Sequence, residues 1–284
     1  MKIFRNRQKG DIVRLIIFIV AVCGFLASGI YLVIRFKNAQ DATSRNSSIT
    51  DIVIETKAPS NVADNGDNAE DLHSIEINGT KYYGINAALT VNMDALREIN
   101  SEAVGWIHVP QCNISYPLAQ TTDNDKYLVT DFSGSESYSG AIFLDKSNAP
   151  DFSGAHTVIY GHHMTDGSMF ANLLKYDDES FYKECEEDNN NYIYIYNDSG
   201  VLVYEIFCVC DVNIDDHTTA FYPNFFTGLT EVDYAEYVKS QALYDIDVDV
   251  VEGDRILTLF TCQGTSAEKT RHMVHAKYLT TLND

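Results

Sequence analysis

The chain has 284 residues, 45% hydrophobic and 12% aromatic with five prolines, which fits one sizeable folded domain with appendages and excludes global disorder. Its formal net charge is -21, but the bases gather at the front: residues 51–284 hold 12 Lys/Arg against 39 Asp/Glu, a net of -27. Such an acidic body repels phosphates, and nucleic-acid binding needs clustered Lys/Arg, so nucleic acid is excluded as a partner.

Residues 1–14 carry Lys2, Arg5, Arg7, Lys9 and Arg14 and read as a cytoplasmic N-terminus. Residues 15–34, Leu15 to Ile34, have no charge, and at 1.5 Å per residue they span roughly the 30 Å hydrocarbon core of a bilayer. This predicts a transmembrane anchor. Only Arg35 and Lys37 follow closely, so the positive-inside rule puts the rest of the chain outside the cell. The competing reading, a cleaved signal peptide, has an apolar core of about 7–15 residues, whereas this run continues past Ala27–Gly29. Residues 35–75 are polar, with little periodicity apart from Ile52–Ile54, and predict an extracellular stalk.

Residues 76–284 carry the folded domain. Met93, Leu96 and Ile99 fall at helical spacing within Val91–Ile99, and an extended segment begins over Gly105–Pro110. Tyr192–Tyr196 alternates, Asn197–Gly200 offers turn residues and Val201–Cys210 is β-rich, which predicts a hairpin. Glu231–Leu243 reads as a helix in a long inter-strand connection. Arg255–Thr261 reads as a strand ending at Cys262, with His272–Leu279 as its partner. Many short strands with few helices predict a mainly β domain, closed into a barrel that leaves no edges.

Of six cysteines, Cys23 lies in the apolar run and Cys112, Cys185, Cys208, Cys210 and Cys262 lie beyond it. An odd number in an exported segment points to a free thiol. Cys208 and Cys210, two apart on a strand, face the same way and are expected to pack rather than bond. Cys262 ends its strand before a polar loop, Gln263-Gly264-Thr265-Ser266. A thiol attacks as the thiolate, and its reference pKa of about 8.5 calls for a nearby cation or imidazole. Two antiparallel strands joined by that loop would bring Arg271 to Cys262, where a guanidinium could donate to an oxyanion. His272 and His275 point to opposite strand faces, so at most one could face the site. In Thr157–Phe170 (TVIYGHHMTDGSMF) a strand ends at Gly161-His162-His163, and a histidine leaving a strand at a glycine can reach a cleft. No metal is expected there, because adjacent histidines diverge and no third ligand stands at a familiar spacing. The acidic runs Glu184–Asp188 and Asp245–Asp249 lack the ordered ligand loop of a dedicated calcium site. Composition alone leaves a non-enzymatic alternative, a surface-binding module with Cys262 as buried core.

TLFTC at Thr258–Cys262 resembles the TLxTC signature of sortases, YGHHM at Tyr160–Met164 resembles their histidine motif, and Arg271 fits the third position. VGWIHVP (Val104–Pro110), ISYPLAQ (Ile114–Gln120), DNDKYL (Asp123–Leu128) and GAIFLD (Gly140–Asp145) resemble successive segments of class B sortases. The resemblance implies an eight-stranded sortase barrel with an N-terminal helical segment and a further helix in a long connection. It implies a cysteine transpeptidase that needs no cofactor, with Cys262 as nucleophile, His162 rather than His163 as acid/base and Arg271 as oxyanion stabiliser. Thr261 and Leu118 become candidates for substrate binding. The implied partners are surface proteins with an LPXTG-like or NPQTN-like sorting signal and a peptidoglycan amine acceptor; a pilin lysine acceptor or hydrolysis by water are the alternatives within the same chemistry. The chain departs from many class B members at Phe260, where they carry serine, and in the Gln263–Thr265 loop.

Overall fold

The computed structural model describes residues 2–56, 75–77, 79–85, 89–213, 229–262 and 269–283. The expected loop Gln263–Ser266, the side chain of Cys262 and residues 57–74 of the expected stalk lie outside the described residues. The chain opens with a long helix, α1 (Lys2–Val53), and continues through β1 (Ile54–Thr56), β2 (Ile75–Ile77), β3 (Thr80–Tyr82), β4 (Leu89–Val91) and α2 (Met93–Ile99). Then come β5 (Ala103–Val109), β6 (Ile114–Ala119), α3 (Lys126–Val129), β7 (Ile142–Leu144), β8 (His156–Tyr160) and a 3-10 segment, Ala171–Asp177. The remainder is α4 (Glu179–Glu187), β9 (Tyr192–Asn197), β10 (Gly200–Asn213), α5 (Glu231–Lys239), β11 (Ile256–Cys262) and β12 (Thr270–Leu282).

β5–β12 form the expected closed eight-stranded barrel, in the order β10-β12-β11-β8-β7-β6-β5-β9. Most neighbours are antiparallel, but β11 pairs parallel with β8, and β6 parallel with β7. The predicted hairpin is β9–β10, with Gly200 at φ +114, a backbone state that disfavours a Cβ. α5 is the predicted connection helix, started by a Thr230–Asp233 capping box. It ends four residues earlier than expected because Ala242 bridges to Cys210 and the Leu243 amide donates to the Val209 carbonyl, extending the β10 edge.

α1 includes the apolar stretch: Arg14–Ile34 has a mean hydropathy of 2.6 and is unburied, long and apolar enough to cross a membrane. The stalk expected from residue 35 instead begins as a continuation of this helix to Val53. No proline or glycine interrupts residues 36–53, and its hydroxyls bond back along the helix, Ser48 to the Ser44 carbonyl at 3.0 Å and Thr50 to that of Asn46 at 2.9 Å. Ile49 and Val53, one helical turn apart, are buried against α2 and the outer barrel face, in a cluster with Leu96, Trp106 and Tyr194. Arg45 pairs with buried Asp131 at 2.6 Å, and β1 pairs with β4. Arg45, Ile49, Val53 and β1 therefore pack against the domain expected over residues 76–284.

Beneath α5, whose Tyr234 touches both rings, Thr258 links two buried imidazoles: its hydroxyl lies 2.8 Å from His156 Nε2 and 2.8 Å from His275 Nδ1. Burial drives both rings down to about 3, so both are neutral.

Two outcomes follow. Ile49→Ala in the full chain should destabilise the domain by about 2 kcal/mol, read by urea denaturation; unchanged stability would mean that the end of α1 is not docked. The two imidazoles bind protons in the unfolded chain near 6.5 but in the fold only near 3, so they contribute stability above pH 6.5 that is lost as pH falls toward 3. Each should cost about 1.4 kcal/mol per pH unit over that range, and His156→Gln should make the fall in melting temperature between pH 6.5 and 4.5 shallower. Parallel melting curves for the two proteins would contradict this.

Candidate active site

Three adjacent strands, β8, β11 and β12, place the sequence-derived candidates. In the parallel β8–β11 pair Tyr160 is opposite Phe260, and the Gly161 amide donates to the Phe260 carbonyl at 3.1 Å. His162 and Cys262 each follow two residues after that pair, at the same level of neighbouring strands that run the same way. In the antiparallel β11–β12 pair Cys262 is the register partner of Arg271, the relation that brings two residues closest across a sheet. The expected antiparallel pairing of Cys262 with Arg271 thus matches the backbone.

Gly161 has no room for a side chain: a Cβ there would stand 2.5 Å from Ile142 Cδ1 and 2.6 Å from Phe170 Cδ2. Tyr160 is fixed through its hydroxyl, which donates to Asp145 at 2.8 Å, and the buried Asp145 carboxylate also accepts from Asn124. Beyond the glycine, His162 turns to the short helix α3, where its Nε2 lies 2.8 Å from the Leu128 carbonyl. A carbonyl only accepts, so Nε2 carries the proton and, in the neutral ring, Nδ1 is left as the proton acceptor. α3 is braced by the Tyr127 hydroxyl, which donates to Glu102 and accepts from Asn100. Gly140, at φ +57, packs over both: a Cβ would collide with the Tyr127 carbonyl and stand 3.1 Å from the His162 ring. Leu128 and Gly140 lie inside segments matched by motif, yet neither was singled out, because one acts through its carbonyl and the other through an absent side chain.

His163 forms an isolated β-bridge with Met169 across the loop. Arg271 Nη1 donates to the Thr270 carbonyl at 3.0 Å. Its neighbour His272 is fully buried, with Nε2 3.1 Å from the Leu173 carbonyl and Nδ1 2.9 Å from Asp211 and 3.0 Å from Asp177. Burial opposes a charge on this ring, but hydrogen bonds and attraction from Asp177 and Asp211 outweigh it and raise the imidazole to about 9. Among the described residues this is the group whose ligand-type atoms gather most like a metal site. A proton accounts for it: Nε2–H is committed to a carbonyl, and a proton on Nδ1 meets both carboxylates.

Thr261, the register partner of His272, is buried, and its hydroxyl has no hydrogen-bond partner among the described residues. Leu118 is enclosed in the main core beside Ile142, so it has no surface to offer a substrate in this arrangement. Cys112, Cys185, Cys208 and Cys210 are free and buried. Burial pushes Cys112 up to about 12 and raises Cys185, and a hydrogen bond from the Cys210 thiol to Cys208 together with burial raises Cys210, which makes these three poor nucleophiles.

The Sortase domain family model matches residues 107–279. Sortase B of Listeria monocytogenes is 36% identical over 202 residues, 69% of this chain and 77% of the relative. The crystal structure of Clostridium perfringens sortase B superposes with a TM-score of 0.60 at 32% identity, covering 66% of this chain and all of that one. A Staphylococcus aureus sortase B–substrate complex superposes with a TM-score of 0.58 at 29% identity, covering 66% and 84%. With the eight-stranded barrel and the cysteine and histidine at neighbouring strand ends, these matches show that the chain belongs to the sortase family of cysteine transpeptidases, within class B.

Proposed function

We propose that this sortase is a single-pass membrane enzyme, N-terminus in the cytoplasm and domain outside, that cleaves an LPXTG-like or NPQTN-like sorting signal after its threonine and transfers the protein to an amine of cell-wall peptidoglycan. Cys262 is the nucleophile, His162 the general acid and base, and Arg271 the oxyanion partner. The common level of position 162, two residues beyond the end of β8, with positions 262 on β11 and 271 on β12 is the observation that carries this reading. The apolar Arg14–Ile34 segment behind a basic N-terminus supports the anchor and its orientation.

The Cys262 thiolate attacks the threonine carbonyl carbon, and the oxyanion that forms accepts hydrogen bonds from Arg271. The C–N bond breaks, the departing amine takes a proton from His162, and a thioester remains on Cys262. The acceptor amine attacks that thioester, gives its proton to His162 and expels the thiolate as the new amide forms. The Leu128 carbonyl leaves Nδ1 as the atom that exchanges the proton.

The full chain in detergent micelles, given peptides bearing each signal and an amine acceptor, should yield ligated product by mass spectrometry. Cys262→Ala should abolish turnover, His162→Ala should lower it by about 10²–10⁴-fold, and Arg271→Ala by about 10²–10³-fold. Wild-type turnover in any of the three would remove that residue from the mechanism. Triglycine as the preferred acceptor would favour wall anchoring, a pilin-derived lysine peptide would favour pilus assembly, and hydrolysis alone would contradict transfer. Gly140→Ala, which must displace the Tyr127–Leu128 backbone, should lower kcat/KM at least about tenfold while the far-UV spectrum stays unchanged; full activity would show that this carbonyl does not orient His162.

A further inference from the structure

The loop that leaves His162 does not end at the site. The Phe170 amide donates back to the His162 carbonyl at 2.9 Å, and the chain then enters the 3-10 segment Ala171–Asp177. His272 holds that segment at two points, the Leu173 carbonyl and the Asp177 carboxylate, and reaches its cross-strand partner Asp211 on β10 through the same Nδ1. With Nε2–H donated to a carbonyl, an unprotonated Nδ1 would aim a lone pair at two carboxylates. A buried imidazolium between two carboxylates is the arrangement that satisfies every atom, and it joins three elements at one point: β12, β10 and the strap that begins at His162. The residue just before His272 on β12 is Arg271.

We propose that His272, as an imidazolium clamped by Asp177 and Asp211, is the positioning residue that sets Arg271 relative to the loop carrying His162. This rests on the assignment of Arg271 and His162 made above. Asp177 and Asp211 face the ring from the strap and from β10, and the neutral His275 stands three residues along the same strand. Asp177 is 35% exposed and Asp211 19%, so Asp→Asn changes there remove a charge without opening the core. Loss of either carboxylate weakens the grip on the strap, lets Arg271 and the histidine loop shift independently, and lowers the chemical step more than peptide binding, since misplacement of about 1 Å can cost 10²-fold in rate.

The test is a double-mutant cycle on the full chain in micelles, using the LPXTG-like and NPQTN-like peptides as probes. Asp211→Asn, and Asp177→Asn as the milder variant, should lower kcat about tenfold with KM within about twofold, and the same changes in an Arg271→Ala background should cost less than about twofold. Histidine-selective 15N spectra should give His272 an imidazolium signature at pH 8 in the wild type, shifted to neutral imidazole in the Asp177→Asn/Asp211→Asn double variant. Equal losses with and without Arg271 would reduce the clamp to a purely structural role and overturn the proposal. A neutral His272 in the wild type at pH 8 would overturn it as well. If Arg271→Ala alone kept wild-type kcat, the assignment of Arg271 would fall and the clamp's route with it, whereas additive losses with an essential Arg271 would overturn the clamp alone.

Discussion

The parallel pairing of β8 with β11 is the constraint on which the site depends. Parallel neighbours run in the same direction, so both end at one rim of the barrel, and the residues just beyond Tyr160 and Phe260 emerge together. β12 then starts at that rim because it runs antiparallel to β11, which adds Arg271 to the same level. Parallel strands need a long crossover, and here the 3-10 segment, α4, the β9–β10 hairpin and α5 occupy the chain between them. Barrel closure fixes the register, since a slip by one residue would exchange the two buried faces of β11.

The same strand, β12, shows how burial alone does not decide a charge. His272 and His275 are both fully buried and three residues apart, so they look to opposite faces. His275 meets a hydroxyl and a thiol and is neutral, while His272 meets two carboxylates and is cationic. That difference puts a buried positive charge beside Arg271 in a domain otherwise dominated by acids. The His162 ring is governed by a third device, a backbone carbonyl that fixes its tautomer. Among the described residues no carboxylate is paired with it, which suits the proton exchange proposed for this ring.

Features written in local pattern were legible in the sequence. The Tyr/Ile alternation with its Asn-Asp-Ser-Gly turn gave β9–β10, and the nine-residue step from Cys262 to Arg271 gave the β11–β12 pair. The doubled His162-His163 motif placed the histidine at a strand end but could not supply its partner, because the Leu128 carbonyl is 34 residues away. α4 was hidden because its run of acids resembles a solvated surface, and among its described residues Tyr182 and Cys185 are buried while Phe181 packs part-buried against the core. The extension of α1 was hidden for a related reason: Ser, Thr and Asn read as linker, and the burial of Ile49 and Val53 depends on a surface that only the barrel creates. The His272 clamp joins residues from three separate stretches of chain, so none of the three carries a local signal.

The central claim is that Cys262 forms a thioester with the threonine of the sorting signal. Its most direct test is intact-mass and peptide-mapping mass spectrometry of the full chain mixed with a sorting peptide and quenched in acid within a turnover. The account predicts an adduct equal in mass to the peptide fragment ending at threonine, confined to the segment containing Cys262 and released by hydroxylamine. Peptide cleavage with no adduct, or an adduct on Cys112, Cys185, Cys208 or Cys210, would contradict it.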